Sequence, residues 1–110
     1  MKTYSLLVGA RTVSGSARFK AGQEERLVEL TRKYFPDGFT ILRAQGGWWN
    51  SQRQRFEKEE SREVRIVSSH SSRAVRWAQA VGLALKQKEV LLSELGPVRR
   101  VQPPSRATRR

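Results

Sequence analysis

A chain of 110 residues has room for one hydrophobic core. Lys and Arg number 22 against 10 Asp and Glu, a formal net charge of +12, so polyanions are attracted at long range and cations are not. Without cysteine and with a single histidine, a disulfide framework, a thiolate zinc site and a multi-histidine metal centre are all excluded.

Tyr4, Leu6 and Val8 alternate with Ser5, Leu7 and Gly9, the period-two signal of a strand from Lys2 to about Arg11. Ser14-Gly15-Ser16 interrupts it. The segment GQEERLVELTRKYF then sets Leu27, Leu30 and Tyr34 at helical spacing, with Val28 and Phe35 widening the stripe. Glu24 and Glu25 at its start and Arg32 and Lys33 at its end complement the helix dipole, and Pro36-Asp37-Gly38 stops it. Phe39, Ile41 and Arg43 alternate with Thr40, Leu42 and Ala44 in a second strand ending at Gly46-Gly47, whose partner is expected over Glu63–Val67. Between them GGWWNSQRQRFEKEES forms a connector that is long for a hairpin, and connectors of that length are usually functional. His70-Ser71-Ser72 offers a capping Ser to a second helix carrying Ala74, Trp77, Ala78, Val81 and Leu85 and ending near Lys86. Val90, Leu91, Leu92 and Leu95 are sized for a last strand.

The element order βαββαβ predicts a ferredoxin-like α+β sandwich, an antiparallel sheet with two helices on one face. Leu7, Leu42 and Val67 fall on the opposite parity, and a bare apolar sheet face predicts a ring-type homo-oligomer. The domain is expected over residues 1–95. Residues 96–110, with five Arg, paired Pro and no acid, are expected to form a disordered basic tail. Leu6-Leu7-Val8 is too short for a signal h-region and nothing approaches the roughly 20 apolar residues of a membrane span, so a cytoplasmic location without a membrane partner is expected.

Trp48 and Trp49 follow two glycines in the connector, where they either pack against a subunit or cover the sheet, or else form a platform on which a base or a cation stacks. Glu57, Glu59, Glu60 and Glu63 lie among basic residues. On a strand Glu59, Ser61 and Glu63 share one face while Glu60 joins Arg62 and Val64 on the other. They read either as a hairpin laced by ion pairs or, for Glu60 on the apolar parity, as a carboxylate aimed at a pocket. His70 reads as a capping or surface residue, and Gln87 as a helix-terminal polar residue or a ligand contact. Ser14-Gly15-Ser16 lacks the Gly-Lys-Ser/Thr of a phosphate loop.

The stretch FPDGFTILRAQGGWWNSQRQRFEKEESREVRIV resembles a family of small uncharacterised bacterial domains with an Ala-Gln-Gly-x-Trp turn and a Glu-Ser before a β-branched strand. KQKEVLLSEL resembles that family's closing Gln-x-x-Val-Leu. Glu59-Glu60 before Val64-Arg65-Ile66, the alanine-rich Ala74–Ala84 and Gln87–Leu91 are also similar to the bacteriophage S-adenosylmethionine lyases, once called hydrolases. That resemblance implies a ferredoxin-like trimer with sites between subunits and no metal or organic cofactor. It carries the catalytic glutamate onto Glu60 and the site's tyrosine position onto Trp49, with Trp48 and Gln87 as further substrate-binding candidates. The implied reaction on S-adenosylmethionine gives methylthioadenosine and homoserine lactone. Two other readings stand beside it. One is a basic nucleic-acid-binding module using Arg99, Arg100, Arg106, Arg109 and Arg110 with the hairpin tryptophans. The other is a non-catalytic, ligand-binding regulatory ring.

Overall fold

A computed structural model describes residues 1–10 and 18–104. Ser14-Gly15-Ser16, Arg106, Arg109 and Arg110, and the expected end of the first strand at Arg11, lie outside the described residues. In chain order the elements are β1 (Lys2–Gly9), α1 (Ala21–Tyr34), β2 (Thr40–Asn50), β3 (Arg55–Ser68), α2 (Ser71–Ala84) and β4 (Leu91–Pro97). The strands form one antiparallel-paired sheet in the order β2-β3-β1-β4, the ferredoxin-like arrangement that the element order predicts.

Alternation on β1 is what builds the core. Tyr4, Leu6, Val8 and Ala10 are buried under the helices with Val64 and Ile66 of β3, Leu27 of α1 and Ala74, Trp77, Ala78 and Val81 of α2. Trp77 is fully buried and brings a polar N–H with it. Its indole donates to Thr31 Oγ1 at 3.1 Å, while that hydroxyl donates to the Leu27 carbonyl at 2.7 Å, so the indole N–H and the hydroxyl brought inside each have a partner. The Phe35 ring meets Trp77 edge-on, 5.3 Å between centroids.

The N-terminus of α2 differs from the expectation in detail, and its C-terminus falls near Lys86 as expected. No Ser caps α2. His70 occupies the N-cap position without a side-chain cap, and its N–H is taken instead by Ser68 Oγ at 3.0 Å. At the C-terminus Lys86 adopts a left-handed φ of 55°, and the bonds Lys86 N–H to the Leu83 carbonyl and Gln87 N–H to the Gly82 carbonyl close a Schellman motif. That motif fixes the direction in which Gln87 leaves the helix.

The largest departure is the connector. It is no loop: β2 runs through Gly46-Gly47 and both tryptophans to Asn50, and β3 begins at Arg55 rather than Glu63. Register pairing is unbroken from Thr40 opposite Arg65 to Asn50 opposite Arg55. Because β1 ends at Gly9 opposite Ser61, residues 45–50 and 55–60 continue past the four-stranded sheet as a two-stranded arm. A short turn closes the arm, with Asn50 Oδ1 accepting the N–H groups of Gln52 and Arg53.

Candidate functional site

Register divides the arm and its root into two unlike faces, because directly opposed residues of an antiparallel pair point the same way. On the side away from the helices lie Ala44, Gly46, Trp48 and Asn50 with Ser61, Glu59, Glu57 and Arg55. On the helix side lie Arg43, Gln45, Gly47 and Trp49 with Arg62, Glu60, Lys58 and Phe56. Trp48 and Trp49 are therefore separated by the thickness of the ribbon. The expected pair of Trp49 and Glu60 shares the helix side, and Trp48 stands on the open side.

Glu60 has a local task. Its carboxylate accepts the Phe19 N–H at 2.9 Å, and next to it Arg62 lays its guanidinium 4.6 Å from the Phe19 ring centroid while pairing with Glu24 at 3.0 Å. Arg62 is buried, so its charge needs that partner. Together these contacts pin the entry to α1 onto β3.

The carboxylate that shares the neighbourhood of Gly9 with Gln87 is Glu59. It lies directly over Gly9, so closely that a Cβ at position 9 would collide with it. The Gln87 side-chain oxygen stands 3.9 Å from the point that Cβ would occupy. Gly9 closes β1 on the open-face parity, and its missing side chain is what admits the acid. Trp48 is opposite Glu57 and one residue pair from Glu59 on the same face. Glu57 is engaged by Arg55 at 3.1 Å, which holds its carboxyl below the usual carboxylate range, with Arg53 and Asn50 assisting. The sequence signal for Glu59 was present in the alternation of Glu59, Ser61 and Glu63. What was missing was the significance of a glycine on a neighbouring strand.

Next to this site the open face carries an apolar row. Leu91, Leu7 and Leu42 stand across adjacent strands, all exposed, with Glu63 between Leu7 and Leu42. The Ser5 hydroxyl donates to Glu63 at 2.6 Å and Arg65 adds a bond at 3.0 Å. These contacts hold the Glu63 carboxyl below its ordinary value. Arg99 and Arg100 leave from the far end of the sheet, where Val98 N–H bonds to the Met1 carbonyl, so within one chain they do not join the tryptophans. A separate groove of about 620 Å³ between α1 and β2 is lined by Gly22, Glu24, Glu25, Val28, Glu29 and Ile41 among others, and it holds none of the sequence-predicted site residues. Among the described residues no cluster of His, Asp and Glu could hold a metal ion, and no helix is long and apolar enough to cross a membrane.

Residues 4–91 match the family model described as protein of unknown function (DUF3574). The chain belongs to this family. No curated protein matches it. Among solved structures, this DUF3574 chain is similar to a phage SAM lyase in complex with S-methyl-5'-thioadenosine, at 13% identity and a TM-score of 0.58, covering 82% of this chain and 76% of the other. It is also similar to the GlnK–ATP complex of B. subtilis, at 15% identity and a TM-score of 0.54 over 86% and 84%. A third likeness is to the periplasmic divalent cation tolerance protein CutA of Archaeoglobus fulgidus, at 13% identity and a TM-score of 0.52 over 91% and 88%. At such identities the likeness is one of fold.

Proposed function

We propose that this protein is a small-molecule lyase acting on S-adenosylmethionine, with its site on the open sheet face at the root of the arm. The observation that carries this reading is the convergence of the Glu59 carboxylate and the Gln87 carboxamide over Gly9, on the face that also presents the Trp48 indole. An acid, an amide and an indole on one side of a strongly basic chain form a local environment suited to a ligand with an aromatic base and cationic groups. The fold likeness to a phage SAM lyase supports the choice of ligand.

The chemistry asks little of the protein. The substrate's own carboxylate oxygen forms a bond to its γ-carbon as the carbon–sulfur bond breaks, and the bonding pair leaves on sulfur. The products are neutral methylthioadenosine and homoserine lactone, and no proton has to move. Holding the chain folded for this attack supplies the advantage of an intramolecular reaction. The reacting charges annihilate in the transition state, so an acid beside the sulfonium would stabilise the starting state more than the transition state. In this reading Glu59 therefore binds the ammonium, which stays charged throughout, and Gln87 assists. Trp48 stacks on adenine. Glu60, the residue onto which the family resemblance carried the catalytic role, is here a positioning residue that holds the loop before α1. Trp49 lies on the other side of the ribbon and is not assigned to this site. A second copy covering the Leu7, Leu42 and Leu91 row would enclose the site, as the ring expectation requires.

Incubating the full chain with S-adenosylmethionine and separating the products by chromatography tests the reading. Methylthioadenosine and homoserine lactone in equal amounts are expected. A thermal shift with S-adenosylmethionine but no product would point to the regulatory ring and end the lyase assignment.

A further inference from the structure

The helix side of the arm has a different chemistry from the proposed lyase site. Trp49 and Phe56 stand directly opposite each other near the tip and are more than half exposed, at 56% and 62%. The Phe56 ring lies against Gly47, where any Cβ would run into it, so the ring is laid along the ribbon. Lys58 projects on the same face opposite Gly47, and Arg43 lies nearer the root opposite Arg62. Arg62 already has Glu24 as its partner, whereas Arg43 and Lys58 have no ion pair with any described residue. Like charges facing each other across a ladder are unfavourable, so Arg43 beside Arg62 is a place where an added anion is stabilising. Glu60 is the acid on this face, and its carboxylate is engaged by the Phe19 N–H.

We propose that this face binds single-stranded nucleic acid, with Trp49 and Phe56 stacking on bases and Lys58 and Arg43 contacting phosphates. Charge selects the occupant: a chain of net charge +12 attracts a polyanion and repels a second copy of itself from a cationic surface. The rings select unpaired bases, since a base inside a duplex has no free face to offer. The site is independent of the tail. Arg99 and Arg100 lie at the other end of the sheet, so the arm supplies its own cations.

The test uses the full chain and a labelled oligothymidylate about 20 nucleotides long, titrated by fluorescence anisotropy across a salt series. The double variant Trp49→Ala/Phe56→Ala, which removes two stacking contacts, is expected to bind at least about thirtyfold more weakly. Arg43→Gln/Lys58→Gln is expected to reduce the steepness of log affinity against log salt by about 1.4, the effect of two phosphate contacts. Heparin, a polyanion without bases, should respond to the second variant and not to the first. The second variant keeps the arm's apolar contacts, so it carries the test if the aromatic variant fails to fold. Oligonucleotide binding unchanged in both variants, binding lost on Arg99→Gln/Arg100→Gln alone, or a preference for duplex would each overturn the proposal.

Discussion

Thr31 carries more than its size suggests. Its hydroxyl is the acceptor for the Trp77 indole and the donor to Leu27, all inside a closed core. Thr31→Val keeps the shape and leaves a buried indole N–H without its partner. It is expected to cost about 1–3 kcal/mol in urea unfolding, with the fold retained. Gly9 is the other residue where a single atom matters. In Gly9→Ala the new methyl would displace the Glu59 carboxylate, so ligand affinity should fall more than stability does, read as a rise in KM beside a small change in Tm. Three surface groups make a small pH-dependent contribution. Ser5 and then Arg65 lower the Glu63 pKa, and Arg55 lowers that of Glu57, so their stabilisation is complete above the ordinary carboxylate range and is lost as pH falls through their depressed values. Lys2, raised by its hydrogen bond and charge pairing with Glu94, stabilises below the ordinary lysine value and stops doing so as pH rises through its elevated one. Ser5→Ala should flatten the acid limb of a stability–pH curve and leave the alkaline limb unchanged.

At the scale of elements, the α2 terminus and the arm decide where the site residues go. Lys86 holds a left-handed conformation that costs a side-chain-bearing residue about 1–2 kcal/mol relative to glycine. Lys86→Gly should therefore raise the unfolding free energy by about 1 kcal/mol while leaving Gln87 in place. The arm shows why sequence reading succeeded in some stretches and failed in others. β1 was legible because Tyr4, Leu6 and Val8 alternate against a buried face, and both helices because their apolar residues recur at helical spacing. β2 beyond Ala44 has no buried face to impose alternation, and Gly46-Gly47 resembles a strand end. Phe56 lying against Gly47 is a cross-strand event that no local pattern reports. The face-sharing of Glu59 with Ser61 and Glu63 could be read directly, whereas its approach to Gly9 depends on a pairing between strands that no local pattern reports.

For the whole molecule, the open sheet face is the feature a single chain leaves unfinished. Leu7 and Leu42 are 38% exposed and Leu91 55%, in one row across three of the four strands. Burying that row between copies would remove apolar area from water. Sedimentation of the wild-type chain should therefore show an oligomer, and Leu42→Glu should shift it towards monomer at equal concentration. The proposed activity depends on whether the acid over Gly9 holds a substrate that then reacts with itself. The most direct measurement is the rate of methylthioadenosine formation from S-adenosylmethionine by the wild type and by Glu59→Gln across substrate concentrations. Turnover by the wild type, with KM raised at least about tenfold and kcat changed much less in the variant, is the expected result, since a charge-assisted contact is worth about 1.5–3 kcal/mol. No methylthioadenosine from the wild type, or identical kinetics in the two proteins, would contradict it.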